Sequence, residues 1–148
     1  MTNHLIAEKN AEKAVSTNYL ISTFYKFQKD ENPEKTKRYL EELAQKTNSR
    51  GLIIIGTEGF NATICSKTEE SFKAFKQGIQ DYFRSPDLFF KDSCSDVRPF
   101  RRFKVKIRDE IVTLGDTSLV PYDMDGINHH LKPSEWNEVM KNEDHVII

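Results

Sequence analysis

Between Arg98 and Gly115 the chain reads RPFRRFKVKIRDEIVTLG, a stretch whose residue types suit holding an anion rather than breaking a bond. Arg102, Lys104, Lys106 and Arg108 occupy every second position. In an extended segment side chains alternate between faces, so these four cations line one side while Phe103, Val105 and Ile107 line the other. With Arg98 and Arg101, residues 98–108 hold six cations and no acid, which leaves seven net negative charges on the rest of a chain whose overall charge is −1. A positive field confined to one segment fits a polyanion such as RNA, whose phosphates release counterions when neutralised. A solvated edge strand that uses Lys and Arg to prevent edge-to-edge pairing accounts for the same pattern. Phe89, Phe90 and Phe100 lie close by and favour nucleic acid.

The other candidate residues are weaker. In GTEGFN, Glu58 and Asn61 stand at the end of an expected hairpin, where polar side chains can line a pocket. The competing account is turn chemistry, with Gly56 and Gly59 supplying positive φ and Asn61 bonding local backbone. Cys65 and Cys94 form no CxxC pair and have no ligand-spaced histidine, so they read as small strand residues rather than zinc ligands, a redox pair or a nucleophile. His129 and His130 are adjacent, so their side chains diverge on a strand or a helix, and no metal site is expected.

The elements that must position these residues follow from pattern. NYLISTFYKF predicts a strand over 19–27. Asn32 as cap and Pro33 at the first helical position open a helix with an apolar stripe of Tyr39, Leu40, Leu43 and Ala44, closed by Gly51. GLIIIGTEGFNATICS reads as two strands joined at Gly56–Gly59, with Phe60, Ala62 and Ile64 facing away from Asn61, Thr63 and Cys65. Ser66 and Glu69 match a capping box for a second helix, carrying Phe72, Phe75, Ile79, Tyr82 and Phe83 and ending near Arg84. A strand is expected over about 88–93. This order predicts an α+β fold, a ferredoxin-like (acylphosphatase-like) split βαβ sandwich with both helices on one face of the sheet. FKVKI and IVTLG should add a C-terminal β-ribbon turning at Arg108–Glu110, and KPSEWNEVMKN a short helix whose Trp136 anchors a neighbouring domain.

The expected organisation is a polar leader at 1–17, a ferredoxin-like domain at 18–115, and a linker, short helix and start of a further domain at 116–148, where HVII reads as an incipient strand. The longest apolar runs fall far short of a membrane span and the N-terminus lacks a secretory pattern, so the expectation is a soluble, cytoplasmic protein that makes no membrane contact.

EGFNATI at 58–64, the 98–115 stretch and HHLKPSEWNEVM at 129–140 together resemble the N-terminal region of the bacterial rhodanese-domain-containing tRNA uridine hydroxylases. The likeness runs from Tyr19 onward. The usual family pattern is closer to EGINGT, so Phe60 stands for an Ile and Ala62 for a Gly. The resemblance implies an N-terminal, tRNA-engaging piece of an oxidoreductase that hydroxylates the wobble uridine at carbon 5, with molecular oxygen as co-substrate. It also implies a rhodanese domain, carrying the reactive cysteine, after Ile148; no catalytic residue is expected in this piece, which alone should be inactive. Two rivals remain: an acylphosphatase-like hydrolase of small anions, which needs an Arg and an Asn around a phosphate, and a non-catalytic docking domain.

Overall fold

The computed structural model describes residues 18–119 and 131–144. The elements run β1 (Tyr19–Phe27), α1 (Pro33–Lys46), β2 (Arg50–Gly56), β3 (Gly59–Ser66), α2 (Glu69–Phe83), β4 (Lys91–Ser95), β5 (Phe103–Ile107) and α3 (Pro133–Lys141). The expected strand, helix, strand, strand, helix, strand order is therefore present. One sheet holds all five strands in the order β4-β1-β3-β2-β5. Its first four strands are antiparallel neighbours, the ferredoxin-like arrangement.

Alternation decides which face each strand buries. Phe24, Ile53, Ile55, Phe60, Ala62 and Ile64 pack beneath Leu40 and Ala44 of α1 and Phe72, Phe75, Ile79 and Phe83 of α2. Phe60 and Phe83 lie with ring centroids 4.2 Å apart, and Phe75 meets Phe103 edge-on at 5.8 Å. Between the helices, Tyr39 stacks on Tyr82 at 4.1 Å and donates its hydroxyl to the Gly78 carbonyl. Burial, with Asp81 and Tyr82 adding to it, pushes the Tyr39 hydroxyl pKa up, so the group stays a protonated donor.

Four local expectations are corrected. IVTLG forms no strand and there is no β-ribbon: β5 instead pairs in parallel with β2, from Gly51↔Phe103 to Ile55↔Ile107. The free edge of β2 offers a ladder beside which Val105 enters the core, and no return strand competes with it among the described residues. The fourth strand starts at Lys91 rather than Leu88, because Leu88 is drawn into the core and Phe90 packs edge-on against Phe24. Helix α2 is capped by Thr68, whose side chain accepts from the Ser71 N–H, and not by Ser66, which is buried and bonded to Ser49. Helix α1 starts at Asn32 and Pro33 as expected, but ends at Thr47 and a left-handed Asn48, while Gly51 lies inside β2.

Helix α3 matches its expected bounds, yet buries none of its residues, and Trp136 is half exposed. The leader, His129, His130 and HVII lie outside the described residues. Among the described residues no helix is long and apolar enough to cross a membrane.

Phe75 is fully buried at the junction of α2 and the sheet. Phe75→Ala should lower stability by about 3–5 kcal/mol, read as a shift in the urea midpoint at unchanged slope.

Candidate nucleic-acid interface

The β2–β5 pairing sets the geometry of the basic residues. Val105 is opposite Ile53 and points under the helices, so Lys104 and Lys106, opposite Leu52 and Ile54, project from the other, helix-free face. Lys104 is exposed and Lys106 half-buried, and the two share one surface as the spacing predicts. The Arg108 N–H bonds the Ile55 carbonyl at 2.9 Å and carries the ladder one residue further. Arg98, Arg101 and Arg102 are not on a strand. They belong to the connection that takes the chain from β4 at one edge to β5 at the other, and all three are exposed. Among the described residues, none of the six cations at 98–108 is ion-paired with a carboxylate.

That connection passes over Cys65. The thiol lies on the helix-free face, in register with Arg50 and Ile21, yet it is only 2% exposed. It is hydrogen-bonded to the Phe100 backbone. Burial pushes the Cys65 thiol up, and the Phe100 bond, Arg50 and Arg98 only partly oppose this. A protonated, covered thiol is no nucleophile. Cys94 is exposed on β4, so both cysteines are strand residues as expected, one buried and one exposed.

Where the connection joins β5 it borders a cavity of about 460 Å³ between Arg50, Arg101, Arg102, Phe103 and the Glu41 and Gln45 side of α1. The Arg50 guanidinium donates to the Arg101 carbonyl at 2.9 Å, and the Gly51 N–H to the Arg102 carbonyl, which fixes this corner. Three guanidinium groups here offset the partial negative charge at the C-terminal end of α1 and leave donors for an anion.

Glu58 and Asn61 part company. The Glu58 carboxylate accepts the backbone N–H of Ile111, a buried residue, and so ties down the chain after β5. Its backbone carbonyl accepts from Gln28. Asn61 is half-buried on the helix-free face, and its side-chain amide makes no hydrogen bond among the described residues, so it does not bond local backbone. Of the two glycines, only Gly59 has positive φ, at 141°. Gly56 is required for close approach, since a Cβ there would lie 2.5 Å from the Arg108 carbonyl oxygen.

The rival hydrolase reading needs an Arg and an Asn around a phosphate, and the β1–α1 loop does not supply that pair. The loop reads QKDEN, and its Gln28, Asp30 and Asn32 N–H groups are committed to Glu58, Thr57 and the Asp30 carboxylate. It contains no Arg, and the arginine-lined cavity lies at the far end of the sheet. The residues that the sequence reading missed are Tyr25 and Phe27 of β1. The signal was present: once Phe24 enters the core, alternation turns both onto the helix-free face.

The topology and the paired helices define a ferredoxin-like α+β domain of acylphosphatase type. The chain belongs to the family described as the UPF0176 acylphosphatase-like domain, whose model matches residues 19–111. A protein of Bdellovibrio bacteriovorus named tRNA uridine(34) hydroxylase is 49% identical over 134 residues, 90% of this chain and 38% of that protein. Proteins of the same name from Gluconobacter oxydans and Acinetobacter baumannii are 32% and 30% identical, covering 86% and 93% of this chain. The chain spans about two-fifths of the length of these relatives, 40% and 42% in the last two. Among solved structures, acylphosphatases from Bacillus subtilis and Coxiella burnetii each cover 62% of this chain, at 14% and 9% identity and TM-scores of 0.38 and 0.43. The chain covers 97% and 93% of those proteins.

Two outcomes check this geometry. A thiol reagent at pH 8 should modify Cys94 quickly in the folded protein and Cys65 only on unfolding, so Cys94→Ser should leave almost no native reactivity. Glu58→Ala should cost about 1–3 kcal/mol of stability in urea unfolding, because it strands the buried Ile111 N–H.

Proposed function

We infer that this chain is the tRNA-engaging N-terminal domain of a longer oxidoreductase that hydroxylates uridine 34 of tRNA at carbon 5, with molecular oxygen as co-substrate. The name carried by its relatives supports that substrate and reaction. No residue of this chain is assigned a catalytic role: Cys65 is covered and protonated, and the resemblance puts the reactive cysteine in a rhodanese domain beyond Ile148. Arg98, Arg101, Arg102, Lys104, Lys106 and Arg108 are the RNA-contacting residues of this reading. On it, the protein works in the cytoplasm, where its tRNA is.

The observation that carries the RNA reading is the pair Lys104 and Lys106 on the helix-free face, in a cation-rich segment with no carboxylate partner among the described residues. β5 is itself an edge strand, where lysines also deter edge-to-edge pairing; what edge protection does not call for is the three exposed arginines, Arg98, Arg101 and Arg102, in the connection before it. Phosphate binding by such a surface is dominated by counterion release and weakens steeply with salt.

The test is a salt titration of tRNA affinity for the protein that contains this chain. The wild type should lose affinity with a log–log slope of about −0.9 for each duplex phosphate contacted. Changing Arg102, Lys104 and Lys106 together to Glu should abolish low-salt binding, and unchanged affinity rejects the assignment.

A further inference from the structure

We propose that the helix-free face of the sheet binds unpaired nucleotides, with bases stacking on Tyr25 and Phe27, Asn61 meeting a base edge, and Lys104 and Lys106 holding the phosphates. This rests on the RNA-binding reading above and names the form of RNA that the domain takes.

The argument begins with register. Tyr25, Asn61, Ile54 and Lys106 are successive cross-strand partners on β1, β3, β2 and β5, so they form one row across the sheet. The row spans three strand spacings, about 14 Å. The neighbouring row begins with Lys91 on β4 and ends with Lys104 on β5. At no strand position facing away from the helices is there an Asp or Glu, although acids outnumber bases in the whole chain. The acid that β4 does carry, Asp92, faces the helices and pairs with Lys76 of α2 at 2.7 Å.

The centre of the face differs from a merely charged surface. Tyr25 is 45% exposed and meets Phe27 edge-on at 6.2 Å, while Leu52 and Ile54 lie half-buried on β2, on the far side of β3. A flat aromatic and aliphatic floor flanked by lysines is poor support for a duplex, which presents phosphates and no free base faces. It suits splayed-out bases, which stack on aromatic rings with little regard to sequence while the backbone follows the cations. Asn61 adds a side-chain amide with both a donor and an acceptor unsatisfied among the described residues, the chemistry that reads a base edge. The charge of the flanking residues is the wrong sign for a cationic partner and the right one for an anionic partner.

The experiment measures fluorescence anisotropy of a labelled oligouridylate and of an RNA duplex of equal length with the 148-residue chain. The oligouridylate should bind more tightly. Tyr25→Ala should weaken it by about fivefold or more and leave duplex affinity within about twofold, whereas Tyr25→Phe, which keeps the ring, should retain binding. Cross-linking of 5-iodouridine oligonucleotides to the wild type, mapped by mass spectrometry, should mark the β1 peptide containing Tyr25; this readout does not depend on any variant folding. Equal or tighter duplex binding, or an unchanged affinity in Tyr25→Ala while the triple Glu variant loses it, overturns this proposal and leaves the RNA reading standing. No binding of either RNA overturns both.

Discussion

The parallel contact between β5 and β2 is what turns a basic sequence into a basic surface. Val105 can reach the core only by lying beside Ile53, and that single apolar commitment, at 5% exposure, points Lys104 and Lys106 the opposite way. Burying a valine stabilises by about 1.5–3 kcal/mol, whereas burying an unpaired lysine would cost several, so the alternative register is not competitive. Because β4 and β5 sit at opposite edges, the chain between them must also cross the sheet. That crossing seals Cys65 under Phe100 and gathers Arg101 and Arg102 near Arg50.

The ends of the sheet then acquire different characters. Near Gly56 and Gly59 the backbone is locked by mutual hydrogen bonding: β1–α1, the β2–β3 turn and the chain after β5 meet through Gln28, Glu58, Arg108 and Ile111. Side chains that could serve chemistry are used up there as structural acceptors. At the Arg50 end the connection is held through its carbonyls, which leaves guanidinium nitrogens facing solvent. Fold alone does not decide chemistry, and here the β1–α1 loop spends its backbone donors on neighbouring backbone and on Asp30.

Electrostatic range bears on how the helix-free face would act. Five strands at about 4.8 Å spacing make a sheet about 19 Å wide, while the Debye length near physiological salt is about 8 Å. The field from Lys104 and Lys106 therefore reaches about as far as Asn61 in the middle of the face and is largely screened at Tyr25 on β1 and at the β4 edge, whose own cation on this face is Lys91. On the proposed reading, the cations draw an RNA strand to the sheet and the uncharged centre selects what can lie flat on it.

Much of this was legible in the chain itself. Period-two and period-3.6 apolar patterns around Phe24, Phe60 and Phe75 sufficed for the order of elements and the ferredoxin-like class, because burying those residues leaves few alternatives. Alternation alone placed Lys104 and Lys106 together. Sequence pattern could not say which strand β5 would join, since IVTLG and the β2 edge are both plausible partners locally, and the choice is made by a ladder partner some fifty residues away in sequence. Nor could it show that Glu58 is an anchor, that Asn61 is left open, or that Tyr25 shares a row with Lys106. Local residue preferences determined the elements and the faces they bury; cross-strand register, which depends on distant backbone meeting distant backbone, decided which exposed side chains became neighbours.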